Sequence, residues 1–312
     1  MSQLSASKPQ HRKWVVPLAL LLFMGALLGI STNLAKLASG AGLDPLAFLT
    51  WSVIGATIVL ASVSAVRRRL PPLSVRTAEY FIISGLVSVA LPNLLFFAAI
   101  PRVGASFVAL AIAFPPLFTY LGALALRMEQ FQTRRAVGVV LALGGAALLA
   151  VLKLSAPNAD PLWIGAVLGG SVLLAVGNIY RTARWPEGAA PDALAPGMLA
   201  ASGLMLLAVG IVAAAFFESP NGFSLNVPTL SAAPILVVLA QITTFSVQFL
   251  LFFVLQERGG PVYLSLLGSV GAVVGVPIAV LLLGESVPQG LAVGGSLIAL
   301  GIGLLTFGNA ER

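Results

Sequence analysis

Residues Leu94–Gly104 read LLFFAAIPRVG and residues Leu250–Gly260 read LLFFVLQERGG, nearly the same phrase 156 positions apart in a chain of 312 residues. Carried onward, the offset of 156 pairs Arg102 with Arg258, Gly104 with Gly260, Leu110 with Leu266, Leu126 with Leu282 and Glu129 with Glu285. It then pairs Ala136 with Ala292, Gly138 with Gly294 and Leu148 with Leu304, without a gap. Leucine matches are cheap in an apolar chain, so the arginine, glutamate and glycine pairs carry the weight. Nearer the start of each half the register is 145, which pairs Gly25 with Gly170, Asn33 with Asn178 and Lys36 with Arg181, so that NLAK answers NIYR.

Apolar residues make up 59% of the chain and charged residues 9%, proportions far from those of a water-soluble domain. So few charges cannot cover a polar surface, whereas a hydrocarbon surround asks for few. The net charge of +7 is spread over short connections rather than one basic face, which excludes nucleic acid as a partner. Cysteine is absent and the one histidine is His11 in the N-terminal tail, so no metal, cofactor or cysteine nucleophile is expected. The apolar run beginning near Val15 outlasts a signal-peptide core and lacks a cleavage site, so it reads as a retained helix.

A helix needs about 20 apolar residues to cross a hydrocarbon core. Cutting the chain where charges or Pro, Gly and Ser clusters interrupt such runs predicts ten spans, at 15–38, 45–66, 77–100, 103–126, 132–152, 161–182, 193–217, 232–256, 261–283 and 289–308. A tail of residues 1–14 precedes a first repeat over 15–152 and a second over 161–308. Lys and Arg are retained on the cytoplasmic side of short loops. With the N-terminus inside, fourteen of them fall on that side and two, Arg102 and Lys153, on the other, which predicts cytoplasmic termini. Five spans per copy is an odd number, so the second copy enters from the opposite face. The expected fold class is therefore an all-α polytopic membrane protein, ten transmembrane helices in two inverted five-helix repeats. Secondary transporters use this plan, because exchanging the conformations of two similar halves converts an inward-open state into an outward-open one.

A glutamate closes the fourth span in LALRMEQ (124–130) and the ninth in LLLGES (281–286), each ahead of a glycine-patterned helix, GVVLALGGAALL or GGSLIALGIGLL. This pattern resembles the EamA branch of the drug/metabolite transporter superfamily, over nearly the whole chain and in two copies. The resemblance implies ten helices, a central cavity between the halves and small organic solutes as cargo. In overall character the chain is most similar to the YddG-type exporters of aromatic amino acids. Met128 departs from the pattern where the second copy has Gly284.

A charge at the centre of a span costs roughly 2.5–3.5 kcal/mol on insertion scales, so Lys36 asks for a reason. Either it snorkels to the interface, or it attracts a substrate carboxylate at the outer mouth. Its counterpart Arg181 falls at the cytoplasmic end of the sixth span, where loop bias explains it equally well. Asn33 and Asn178 precede these cations by about a turn and share their faces, either bonding across helices or offering amides to a solute. Gln241, Thr244 and Gln248 form one polar stripe on the eighth span, which must face protein or water, and Phe252 continues it. Asn93, after Pro92, is expected to line the matching part of the third span. The substrate-binding candidates are thus Asn33, Lys36, Asn93, Asn178, Gln241, Thr244, Gln248 and Phe252.

Pro115 and Pro116 lie near the centre of the fourth span and free the carbonyls of Ala111 and Ile112, supplying acceptors, a hinge or a packing kink. In the ninth span Gly271 and Gly275 have the spacing that lets helices approach, followed by Pro277. With Pro92, these are the hinge or gating candidates. Glu129 and Glu285 are placed where a carboxylate caps the start of the following helix and read as structural. No carboxylate falls at mid-membrane, so a proton relay is not expected.

An embedded enzyme lacks its catalytic set here, and a channel wants a ring of charges or carbonyls, usually from several subunits. The reading is a monomeric carrier in a bacterial inner membrane, with the lipid bilayer and a small-molecule substrate as its partners. It exports small amphipathic metabolites, amino acids including aromatic ones, by facilitated alternating access. A proton-coupled exporter of drugs or other metabolites, and a channel-like solute pore, are the alternatives.

Overall fold

A computed structural model of the chain describes residues 12–68, 74–127, 130–155, 160–216, 224–226 and 232–307. Among these residues every regular element is helical and no strand occurs. The first half comprises α1 (Arg12–Gly40), α2 (Pro45–Val66), α3 (Val75–Gly85), a π-helical turn at Leu86–Ala90, α4 (Leu91–Val103), α5 (Ala105–Ala111), α6 (Pro115–Ala125) and α7 (Thr133–Leu154). The second half comprises α8 (Pro161–Ala183), α9 (Pro191–Phe216), α10 (Ala232–Ser265), α11 (Leu267–Pro277), a π-helical turn at Ile278–Leu282 and α12 (Leu291–Phe307).

Among the described residues eight stretches are long and apolar enough to cross a membrane, including Val75–Val103 through α3 and α4 and Ala105–Ala125 through α5 and α6. Two further apolar stretches, Leu267–Leu282 and Leu291–Leu304, are shorter. Large apolar side chains such as Val140, Leu204, Val273 and Leu281 point outward, as a hydrocarbon surround requires. The chain is a multi-pass membrane protein.

One boundary differs from expectation. The loop predicted between residues 256 and 261 is helical, and α10 runs 34 residues before a turn at Leu266. Pro261 removes one helical hydrogen bond, but a packed membrane helix tolerates that loss and bends instead of ending. In the first half the chain leaves the helix earlier, at Gly104, whose φ of +90° suits only glycine. It breaks again between Ala111 and Pro115.

The two interrupted helices meet where each is broken. A Cβ on Gly268 would lie 1.7 Å from the Ile112 carbonyl oxygen, so backbone meets backbone at the crossing. Likewise α1 lies on α11, where a Cβ on Gly29 would come 2.6 Å from the Gly271 oxygen and 2.7 Å from the Gly275 nitrogen. Chiefly on each other pack α7 and α12, through Gly145, Gly294 and Gly301. Such small-residue contacts gain dispersion energy where lipid removes the hydrophobic driving force between helices.

Candidate functional site

Inside the bundle, beside the crossing, lies a cavity of 80 Å³ whose lining includes Asn93, Asn178, Arg181, Gln248, Phe252 and Ile112. It has room for a few waters and falls below the roughly 300–1,000 Å³ of ligand pockets, so in this conformation it is too small for a solute. A larger recess of 550 Å³ opens where α1 finishes, between Lys36, Arg102, Lys153 and Glu285. Its walls are helix ends and connections, which makes it a mouth; the smaller cavity is where polar side chains converge within apolar helices.

Arg181 dominates that cavity. It is 1% exposed, although it stands near the end of α8. Its Nη2 donates to Asn178 Oδ1 at 2.7 Å, its Nη1 to Ser88 Oγ and its Nε to Gln256 Oε1 at 3.4 Å. The guanidinium lies 4.6 Å from the centre of the Phe252 ring. These partners are all neutral, and among the described residues no carboxylate reaches it. Desolvating a charge without a counter-charge costs several kcal/mol, so a full guanidinium held by dipoles and a ring face is a costly arrangement. The π-helical turn before α4 brings Ser88 to it, and Pro92, lacking an N–H, cannot bond back to the Ser88 carbonyl.

Gln248 is 5% exposed, and its Oε1 has no partner among the described residues. Asn93 donates to the Val89 carbonyl at 2.8 Å from the cavity wall. Pro115 and Pro116 open α6, and the released Ala111 carbonyl accepts from Ser171 Oγ at 2.7 Å and from the Phe114 N–H at 3.0 Å. The Ile112 carbonyl lies against Gly268.

Lys36 has a different fate. Its Nζ is 2.8 Å from Glu285 Oε1 and donates to the Leu283 carbonyl at 3.3 Å. Glu285 also accepts from the N–H groups of Ala105 and Ser106 at 2.8 and 2.9 Å, and from Ser106 Oγ at 2.6 Å. Its carboxylate thus caps α5 of the first half, not the helix that follows it in sequence. Burial pushes the Glu285 carboxyl up, but the bonds from Lys36, Ser106 and Ala105 outweigh it and hold the group below its ordinary range. Glu129 and Met128 lie outside the described residues. Before each glutamate the left-handed residue differs: Arg127 (φ 56°) in the first half, Gly284 (φ 65°) in the second.

The other candidates divide between cavity and packing. Asn33 bonds across helices, its Nδ2 donating to the Gly275 carbonyl at 3.0 Å and to that of Gly29 at 2.8 Å. Gln241 donates to Ser31 Oγ at 2.6 Å, tying α10 to α1, and Thr244 bonds back to the Ala240 carbonyl at 2.8 Å. Gly271 touches Leu28, and Gly275 touches Ala109 and Gly29. Pro277 ends α11 where the second π-helical turn begins. The cavity therefore takes Asn93, Asn178, Gln248, Phe252 and Pro115, while Asn33, Gln241, Gly271 and Gly275 hold helices together and Thr244 bonds within its own helix.

Sequence reasoning left Arg181 open between loop bias and a substrate role, did not place it among the binding candidates, and overlooked Ser88 and Gln256. One signal was present: the stripe of Gln248 and Phe252 continues at the same spacing of four to Gln256, one turn beyond where it was followed. For Ser88 no sequence signal distinguishes it from other serines in apolar helices.

Residues 16–151 match the model of the EamA-like transporter family. A WAT1-related protein of Arabidopsis thaliana is 25% identical, over 97% of this chain and 92% of its own length. A second WAT1-related protein of that plant is 27% identical over 35% of this chain and 31% of its own length. A crystal structure of another protein shares the fold, with a TM-score of 0.64 at 16% identity, over 94% of this chain and 98% of that one. Residues 16–151 thus resemble a family of transporters, and the likeness to the first WAT1-related protein extends over nearly the whole chain.

Proposed function

We propose that the protein is a carrier that exports small amphipathic metabolites, amino acids including aromatic ones, by facilitated alternating access across a bacterial inner membrane. In this reading ten helices form two inverted repeats, both termini are cytoplasmic and the Lys36 end faces outward. One observation carries it: Asn93, Asn178, Arg181 and Gln248 converge with Phe252 on an interior cavity beside two broken helices that cross there. Polar groups within apolar helices mark a solute path, and helix breaks at that depth are found where backbone is buried or lines a cavity. Bending at Ile112–Phe114 and at Leu266 would open the cavity to one face and then to the other. Among the described lining residues none is a carboxylate, which favours passage down a gradient over proton exchange.

The test is uptake of labelled phenylalanine, threonine and leucine into proteoliposomes, with and without an imposed pH gradient. The expected result is saturable uptake indifferent to the gradient, reduced about tenfold by Gln248→Ala, the worth of one hydrogen bond to a charged group. No uptake above empty liposomes removes the amino-acid assignment. Uptake that never saturates favours the channel-like pore, and uptake driven by the pH gradient favours the proton-coupled alternative.

A further inference from the structure

We propose that Arg181 is the residue that reads a carboxylate on the transported solute, so that cargo must carry a single negative charge. The inference rests on the carrier reading and specifies the chemistry of its site. A guanidinium has five N–H donors. In this conformation three donate, all to neutral oxygens and one at the long distance of 3.4 Å, which leaves one N–H on each terminal nitrogen. These two N–H groups are what the guanidinium fork has left for a carboxylate. The Phe252 ring at 4.6 Å covers one face of the guanidinium and holds the fork's plane.

Lys36 shows what the chain does when a buried cation is structural: it supplies Glu285 at 2.8 Å. At Arg181 it supplies a hydroxyl, two amide oxygens and a ring instead. Neutral dipoles hold the guanidinium in place yet yield to an anion, whose full charge attracts it more strongly than a neutral oxygen does. Charge matching sets the class of anion. The described lining of the cavity contains one positive charge, which suits a monoanionic carboxylate better than a phosphate dianion. The unpartnered Gln248 Oε1 on the same wall accepts a hydrogen bond, as the ammonium of an α-amino acid would provide. A separate recess of 240 Å³, whose lining of Arg76, Arg184, Glu79 and Glu187 carries both signs of charge, lies beside Tyr180, the neighbour of Arg181 in sequence.

The experiment is calorimetric binding to the purified full chain in detergent, with phenylalanine, phenylalaninamide and phenylpropionate at millimolar concentrations. The amide lacks the carboxylate and phenylpropionate lacks the ammonium. For wild type the proposal expects phenylalaninamide to bind at least about tenfold more weakly than phenylalanine, a difference of about 1.4 kcal/mol, with phenylpropionate retained. Arg181→Gln is expected to bring phenylalanine down to the level of the amide while leaving the amide unchanged, and Arg181→Lys to keep part of the preference. Equal wild-type affinity for phenylalanine and its amide overturns the proposal, whether or not the variants survive purification. So does an equal loss of both ligands in Arg181→Gln, which would make the arginine a clamp between helices, and so does no binding of either carboxylate. Flux in liposomes separates the two readings. Transport indifferent to the carboxylate removes the site and leaves the carrier, whereas Arg181-dependent carboxylate binding without flux removes the carrier and leaves the site.

Discussion

Lys36 and Arg181 close the matching stretches NLAK and NIYR, yet one meets a carboxylate and the other, among the described residues, meets neutral groups. Along α10 the two ends are well separated. Gln241 bonds to Ser31 on the Lys36 side and Gln256 to Arg181 on the other, fifteen residues or about 22 Å of helix apart. At the Lys36 end Glu285 joins α1, the turn after α11 and the start of α5 in one charge-assisted knot. At the Arg181 end α8, α10 and the π-helical turn before α4 are joined by weaker bonds around a charge that has no counter-ion among the described residues. One end is thus electrostatically complete and the other is not. Completeness suits a closed gate, and incompleteness suits a site that takes its counter-charge from the solute.

The crossing between these ends is the first place to break the comparison. Gly268→Ala places a methyl group 1.7 Å from the Ile112 oxygen and 2.6 Å from its carbon, both backbone atoms that cannot swing aside. The expected outcome is loss of monodisperse protein on size-exclusion chromatography. Gly165→Ala, with nothing within 4 Å of the new carbon, is expected to purify like wild type. Recovery of both variants in equal yield would show that the two broken helices do not meet as described, and the two ends would lose their common pivot.

Glu285→Gln comes next in size. It leaves Lys36 without its counter-charge and weakens three bonds to Ala105 and Ser106. Hydrogen bonds to charged groups are worth about 1.5–3 kcal/mol, and partial exposure of Lys36 lowers the pair's share, so a loss of about 2 kcal/mol in unfolding free energy is expected. Adding Lys36→Met should return part of that loss, because the orphaned ammonium is then gone. Thermal unfolding of the two single variants and the double variant measures the coupling. Additive losses would mean that the knot is not a unit.

Acid sharpens the contrast further. The Glu285 carboxyl is held below its ordinary range in the folded chain, so the unfolded chain binds the proton more readily. Its contribution is therefore complete above the ordinary glutamate value near 4.3 and is lost as pH falls through the lower folded value. The difference in melting temperature between wild type and Glu285→Gln should stay constant from pH 8 to about 5 and shrink on further acidification. A difference that already changes between pH 7 and 6 would place the carboxyl above its ordinary range and contradict the hydrogen bonds described for it.

The cuts between helices were legible because charges and prolines mark them: α2, α7 and α8 begin and end within a residue or two of the predicted spans. The boundary after residue 256 was not, because Gly259, Gly260 and Pro261 look like a loop in isolation while packing carries the helix through. The site was legible as a stripe of polar types, and Gln248 and Phe252 do reach the cavity. What the stripe could not say was which amides bond to neighbouring helices, since Gln241 and Gln248 share one face and differ only in what lies opposite. Arg181 was hidden for the same reason: an arginine at a span end is ordinarily held by the loop, and only its 1% exposure marks it as interior.

The smallest effect separates the two breaks rather than the two cations. Pro115 has no N–H, so the Ala111 carbonyl it releases depends partly on Ser171 Oγ, at 2.7 Å from another helix. At the matching break in the second half Gly271 stands in the register of Pro115, and the Leu266 carbonyl is met by the N–H groups of Ser269 and Val270 at 3.0 and 3.2 Å. The first break adds a side chain from another helix to the Phe114 N–H, and the second is met by two N–H groups of its own backbone. Ser171→Ala should therefore cost about 1 kcal/mol, as expected for one buried hydrogen bond. Ser269→Ala removes a hydroxyl that has no hydrogen-bond partner among the described residues and should be neutral or slightly stabilising. Thermal unfolding of the two variants side by side measures the difference, and equal losses would mean that both breaks lean on side chains and are alike after all.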